Sequence, residues 1–389
     1  MNQEIRDMFK QLLYQLFGRP HTSPAPPASA PARQQPAAAP PRGPASIATS
    51  PARTVFDANA SARALGKILA RGGEGTVYHL ADNPDVLVKL YHSPVLLKRP
   101  ELGRKIEAMR RDSASQADPN LAWPRISVYD DSRQWVGYAM RKLRGTPFQT
   151  LCQYRLIQER LPAWSRRELA ATALSFVEVV SRLHDRGIII GDINPGNFVV
   201  DPQTSRVSCL DCDSFQVRAS RESFLCRVGI PDFQAPEIMD CHDSVIRTVE
   251  HERFGVAVML FKLLMLGQHP YNHMNGTDPV SNMRQQHCPL GHDSDCRLPA
   301  GPWYRLWSHL PFRMKELFVQ AFRDGNAQPE RRPDLATWSE ALRRYLREMD
   351  KGWHSTVLLP ADVKTRRARP LAPCTAGVRA MAEPRGVAG

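Results

Sequence analysis

An aspartate, an asparagine five positions on and a second aspartate after a short strand pair could together move a phosphoryl group. The chain reads Gly191-Asp192-Ile193-Asn194-Pro195-Gly196-Asn197 and later Asp211-Cys212-Asp213. In that arrangement Asp192 orients a hydroxyl nucleophile and accepts its proton. The amide oxygen of Asn197 and the carboxylate of Asp211 hold metal ions against nucleotide phosphates. Hard oxygen ligands suit Mg²⁺, and the triphosphate of ATP supplies the rest of its shell. Asp-x4-Asn alone recurs by chance, so its meaning depends on what else the chain carries, and in which order.

Upstream lies Leu69-Ala70-Arg71-Gly72-Gly73-Glu74-Gly75-Thr76-Val77-Tyr78. Apolar residues flanking a glycine cluster predict strand, tight turn, strand. Gly72, Gly73 and Gly75 let backbone N–H groups approach phosphate oxygens with no side chain in the way. Next comes Asp85-Val86-Leu87-Val88-Lys89-Leu90-Tyr91, an apolar strand with one embedded lysine. An isolated lysine on such a strand is usually an outward charge. Placed just after the glycine turn, Lys89 reads instead as the cation that grips the phosphates. A helical segment from Glu101 to Arg111 follows, and Glu107 is favoured over Glu101 as the partner of Lys89.

The order of glycine loop, strand lysine, helix glutamate, Asp-x4-Asn, Asp-x-Asp and Ala235-Pro236-Glu237 resembles the eukaryotic-type (Hanks-type) serine/threonine protein kinase family, over residues 62–350. Glu252-Arg253-Phe254-Gly255 is similar to the start of the family's central helix, with Glu252 where aspartate is usual. Pro329-Glu330-Arg331-Arg332-Pro333 resembles the segment whose arginine pairs with the Ala-Pro-Glu glutamate, implying a structural Glu237–Arg332 ion pair. The wording around the glycines and the two aspartates is similar to a bacterial branch often associated with metal-dependent phosphatases and von Willebrand A-like proteins.

The resemblance implies an α+β, bilobal fold. A small antiparallel-sheet lobe with one helix would span 62–143, and a larger helical lobe 144–350. It implies catalytic roles for Asp192, Lys89 and Asn197, and metal ligation by Asn197 and Asp211. Gly72, Gly73, Gly75, Val77, Lys89, Glu107, Met140 and Leu143 would surround the nucleotide, although Met140 reads equally well as plain core. Catalysis would be mainly positioning and charge neutralisation. Several residues depart from the family pattern. Ala70 replaces the first loop glycine, Glu74 the loop-tip aromatic, and Leu87 the small residue two before the lysine. Gly191 stands where an arginine usually receives an activation-segment phosphate. Asn194 stands where protein-directed members usually carry lysine. Asp213 replaces the glycine of Asp-Phe-Gly, either adding an acid near the metals or fixing the loop.

The flanking elements agree. At 389 residues, 42% hydrophobic and 23% charged, the chain can hold more than one core. Leu169, Ala173, Val177, Val180 and Leu183 fall on one helical face that ends at Gly187. Residues 256–266 suit a buried helix and are too few to span a bilayer. Ile5, Met8, Phe9, Leu12, Leu13, Leu16 and Phe17 predict an amphipathic helix over 1–18, suited to docking on a partner or on its own kinase-like domain. Residues 19–61 read as a Pro/Ala-rich linker, and 351–389 as a basic, disordered tail. No secretory signal is apparent.

Net charge is +13, but the arginines are dispersed and no nucleic-acid module is recognisable, so specific nucleic-acid binding is not expected. Eight cysteines in a chain of this length fit a reducing cytoplasm rather than a disulfide scaffold. Cys209 and Cys212 read as buried thiols. Cys288, His292 and Cys296, with His287, lack the paired Cys-x2-Cys spacing of common zinc sites. Three functions follow in order of expectation: a cytoplasmic, Mg²⁺- and ATP-dependent Ser/Thr protein kinase, a small-molecule kinase of related fold, and a nucleotide-binding pseudokinase scaffold. Ser214, Ser220 and Ser223 are candidate autophosphorylation sites.

Overall fold

The computed structural model describes residues 53–364, apart from 220–221, 276, 292–295 and 300. The helix expected over 1–18, most of the linker, Ser220 and His292 lie outside the described residues.

Strand β4 (Val86–Tyr91) is the element on which the small lobe turns. It pairs antiparallel with β3 (Gly75–Leu80) on one side and β6 (Trp135–Arg141) on the other. β2 (Ala62–Arg71) follows β3, and β5 (Pro124–Tyr129) follows β6. β1 (Thr54–Phe56) pairs with β2 and touches β5 through Phe56 and Tyr129, closing the sheet into a barrel. Successive strand side chains point to opposite faces. Val88 and Leu90 therefore enter a barrel core with Val55, Leu65, Val128 and Ala139. Leu87 and Tyr91 face the other way and join the main core with Tyr138 and Met140. Lys89 shares their parity, which carries its ammonium toward the large lobe. Gly137 lets β6 approach at this point, because a Cβ there would overlap the Lys89 carbonyl oxygen.

Two boundaries differ from the sequence expectation. Residues assigned to the linker include β1, whose Val55 is 2% exposed. The barrel needs a strand to close its edge, and three residues supply it with little local signal. The tail was expected from 351, but residues 351–364 pack on the large lobe. Arg166 N donates to Thr356 O at 2.8 Å, and Lys364 N to Ser308 Oγ at 2.9 Å. The small lobe also holds three helical segments where one was expected: α1 (Ser93–Lys98), α2 (Leu102–Arg110) and α3 (Ser113–Ala117). Asp112 separates the last two by capping α3, its side chain accepting from Ser115 N.

The large lobe follows through β7 (Thr146–Pro147), α4 (Phe148–Leu151) and α5 (Tyr154–Arg160). Helix α6 (Arg166–His184) opens on a capping box between Ser165 and Glu168, and the chain leaves it through Gly187 at φ +69°. Strands β8 (Phe198–Val200) and β9 (Val207–Cys209) form a hairpin beside β7. Helix α7 (Val249–Leu264) is buried along most of its length. Its Phe254 and Phe261 pack edge-on against Phe322. Beyond it lie α8 (Pro279–Arg284), α9 (Pro302–His309), α10 (Phe312–Val319), the single turn α11 (Gly325–Ala327) and α12 (Leu335–Asp350). Helix α12 covers α6 through Ala170, Tyr345 and Met349. Among the described residues no helix is long and apolar enough to cross a membrane.

Candidate active site

The β8–β9 hairpin brings the two halves of the acidic motif together. Asn197 immediately precedes β8 and Asp211 follows β9. Leu210 N donates to Asn197 O at 2.8 Å, which ties the open end of the hairpin. Asn197 Nδ2 donates to Asp192 Oδ2 at 3.0 Å and to Asp192 O at 2.8 Å, fixing the carboxylate and leaving the amide oxygen outside those bonds. Asp192 Oδ1 is buried and has no hydrogen-bond partner among the described residues. Burial pushes the Asp192 carboxyl above its ordinary range, against the hydrogen bonds from Asn197 and Asn194. An oriented carboxylate with one unpaired oxygen is what a base for a hydroxyl proton requires.

Asp211 sits in the left-handed region, φ +45°, a conformation that costs a non-glycine residue free energy and recurs at functional sites. Lys89 Nζ donates to its Oδ1 at 2.5 Å and to both Asp213 oxygens at 2.8 and 2.9 Å. Burial works against charge on Lys89, but Asp211 and Asp213 overcome it and raise the lysine well above its ordinary value. Lys89 is 6% exposed, so it is a buried, paired ammonium and not an outward surface charge. Asp213 is 2% exposed and also accepts from Tyr138 OH at 2.6 Å and from Tyr91 OH. Sequence reasoning left Asp213 without a definite role and missed both tyrosines. The signal was there: Tyr91 shares the parity of Lys89, and Tyr138 is its cross-strand partner.

Glu107 is a correction. It does not meet Lys89. Its carboxylate takes Arg110 at 2.7 and 2.8 Å and the Ser127 hydroxyl. The reason is helical periodicity. The buried face of α2 is Leu102, Lys105, Ile106 and Met109, and Glu107 stands off that face. Glu101, the other candidate, lies just before α2 beside Arg99 and Arg227 at 3.7 and 3.6 Å.

The glycine turn closes on itself, with Gly72 N donating to Gly75 O at 2.9 Å. At its tip Glu74 is held by Arg99 at 2.6 Å. Val77 and Leu143 are half-buried against the main core. Met140 is 7% exposed and lies across the sheet from Leu87, so as it stands it is core packing.

Glu252 accepts from Gly191 N at 2.6 Å and from His184 Nε2 at 2.5 Å, bracing the Asp192 loop from α7. Gly191 adopts φ +74°, which disfavours any side chain, and a Cβ there would press on Cys226 and the Arg247 guanidinium. Arg247 fills this space from the stretch just before α7. It donates to Gly191 O, to Val228 O at 2.8 Å and to His242 O at 3.1 Å. The sequence reading did not foresee it. Asn194 is 1% exposed and closes the loop by accepting from Gly196 N at 2.8 Å. Ser214 is corrected as an autophosphorylation candidate, because it is buried and donates to Asp211 O at 2.9 Å. Ser223 is exposed on β11 (Glu222–Phe224), which pairs with β10 (Val217–Ala219).

Arg332 meets Glu237 in a fork at 2.7 and 2.8 Å, as expected. It also donates to Gly325 O and Glu250 O and lies 5.1 Å from the Phe254 ring. Cys209 and Cys212 are buried thiols pushed above their ordinary range by burial.

The donors present fit a magnesium-chelated nucleotide: Lys89 pairs with the Asp211 carboxylate, and the hairpin end that carries Asp211 is tied through Leu210 N to the carbonyl of Asn197. Asp211 keeps 41% of its side chain exposed beside the buried lysine. One or two protein oxygens with phosphates completing the shell are the usual pattern for Mg²⁺.

The chain is similar in sequence to known protein kinases. Residues 140–333 match the protein kinase domain family. The chain is 27% identical over 307 residues to a protein kinase of Escherichia coli (strain K12), YegI, an alignment covering 76% of this chain and 47% of that one. It is 32% identical over 127 residues to a probable serine/threonine-protein kinase of Oryza sativa subsp. japonica, WNK8, covering 32% of this chain and 19% of the other. It is 27% identical over 160 residues to the ovarian-specific serine/threonine-protein kinase Lok of Drosophila melanogaster, covering 40% and 30%. The chain thus spans about half the length of the E. coli relative.

Proposed function

The chain belongs to the protein kinase family, and from that premise we propose that it transfers the γ-phosphoryl group of Mg²⁺-bound ATP to Ser or Thr hydroxyls of a protein, in bacterial cytoplasmic signalling. One observation carries the reading. Asp192, with its unpaired Oδ1, stands on the same hairpin-braced loop system as Asn197 and Asp211, and Lys89 reaches Asp211 from the other lobe. Asp192 accepts the hydroxyl proton as the new O–P bond forms. The bond from the γ-phosphorus to the bridging oxygen breaks, and its electron pair leaves on ADP. Lys89 neutralises phosphate charge, and the backbone N–H groups of Gly73 and Gly75 cover it, Gly72 N being taken by Gly75 O within the turn. Asn197 and Asp211 would hold Mg²⁺, which supplies charge neutralisation between the phosphates. Val77 and Leu143 line the side on which the base would lie. Positioning and electrostatics carry most of such a reaction.

Two features support a protein acceptor. The segment from Asp211 to Glu237 is anchored at both ends, by Lys89 at the first and Arg332 at the second. Asn194, the residue that pointed toward small-molecule substrates, is turned inward to close its own loop. Cytoplasmic placement is supported by cysteines that are all unpaired among the described residues. The test is incubation with Mg²⁺ and γ-labelled ATP, separately with a panel of proteins and a panel of metabolites. Acid-stable label on Ser or Thr of a protein is the expected result. Label confined to metabolites would replace the protein acceptor with a small molecule, and no label anywhere would end the enzymatic reading.

A further inference from the structure

The lysine that grips phosphate is useful only if something holds it, and α2 offers it no acid. The ionisable side chain on the buried face of α2 is Lys105, 1% exposed, with no hydrogen-bond partner for its Nζ among the described residues. The charged and titratable groups acting on it are Cys226, Asp213, Arg99 and Glu74, drawn from the activation segment, the metal loop, the α1–α2 corner and the glycine turn. A second buried amine therefore lies within electrostatic reach of Asp213, the acid that pairs with Lys89. An unbalanced pair of buried cations would be costly. Asp213 balances it. Its carboxylate lies against Lys89 at 2.8 and 2.9 Å and is gripped by Tyr138 and Tyr91, all three from β4 and β6.

We propose that Asp213 is the residue that positions Lys89 for nucleotide binding, replacing a helix glutamate: the metal loop supplies the acid, while the buried face of α2 carries Lys105. Lys89 is then fixed from the large lobe through two tyrosines of the small lobe. The orientation of α2 no longer decides whether the lysine is engaged. This rests on the kinase reading above, but it can be tested apart from it, because Mg²⁺-ATP affinity is read without turnover.

The experiment uses the full chain and measures Mg²⁺-ATP affinity by titration calorimetry and, with casein as acceptor, kcat and both KM values. Asp213→Asn is expected to weaken Mg²⁺-ATP binding and raise the ATP KM about tenfold or more, with the casein KM unchanged, a split that general loosening of the fold would not give. Glu107→Gln should leave the ATP KM within about twofold. The decisive variant transposes the charges. Lys105→Glu combined with Asp213→Gly should recover at least about tenfold of the ATP affinity that Asp213→Gly loses, because it returns an acid to the buried environment that Lys105 and Asp213 share. An Asp213→Asn protein with unaltered ATP affinity would overturn the proposal. So would a loss in Glu107→Gln equal to that in Asp213→Asn, or a transposed variant that folds and binds no better than Asp213→Gly. If the unmodified protein labels nothing yet these affinities follow the expected order, the kinase reading fails and the role of Asp213 stands.

Discussion

At the scale of residues, the site is a set of charges each held by a specific neighbour. Asp192, Asn197, Asp211 and Lys89 were legible because their types, order and spacing are demanded by the chemistry. Glu107 was misread because its choice rested on distance along the chain. The helical face that buries Leu102, Ile106 and Met109 would have pointed to Lys105 instead. Arg247 was not legible at all, since it acts through a fold-dependent approach to Gly191. The Glu237–Arg332 pair illustrates the energetic stake. The Arg332 side chain is fully buried, while Glu237 keeps 29% exposure. Glu237→Ala strands the guanidinium, and it should lower unfolding free energy by about 3 kcal/mol, read from urea titration. A change below about 0.5 kcal/mol would show that the carbonyls of Gly325 and Glu250 suffice.

At the scale of elements, apolar periodicity marked α6 and α7 because their buried stripes are long and regular. β1 was invisible, since three residues carry no period and closure of the barrel alone makes them a strand. Helix α7 leads into a turn carrying His269, a group that couples stability to pH. His269 is 3% exposed, with Nε2 2.8 Å from Asp232 O and Nδ1 accepting from Tyr271 N. Burial first, and Lys262 second, push it down from 6.5 to about 3. The unfolded chain therefore binds the proton more readily than the folded one. Stability from this group is complete above about pH 6.5 and drains away as pH falls toward 3. Between pH 7 and pH 5 the protein should lose about 2 kcal/mol that a His269→Asn variant does not lose. Parallel denaturant titrations at the two pH values check this, and equal slopes would contradict it.

At the scale of the whole molecule, the two lobes share one apolar core and are tied across the crevice by Lys89 to Asp211 and Asp213. The bilobal α+β architecture was readable from motif order. The edges of the folded unit were not, because barrel closure and the packing of residues 351–364 depend on surfaces that no local pattern reveals. Truncation separates these edges. Removing residues 1–52 leaves every described contact of the barrel in place, including Leu65 N to Arg53 O at 2.8 Å. Removal through residue 61 takes away β1 and should lower the thermal midpoint of the protein, whereas the shorter deletion should not. Equal midpoints would mean that the barrel does not need its closing strand. The central claim is that these converging groups catalyse phosphoryl transfer, with Asp192 as the base. It is tested most directly by Asp192→Ala, assayed side by side for Mg²⁺-ATP affinity and for transfer of labelled phosphate to protein. The account predicts retained affinity with transfer reduced at least about a hundredfold; transfer undiminished in that variant would contradict it.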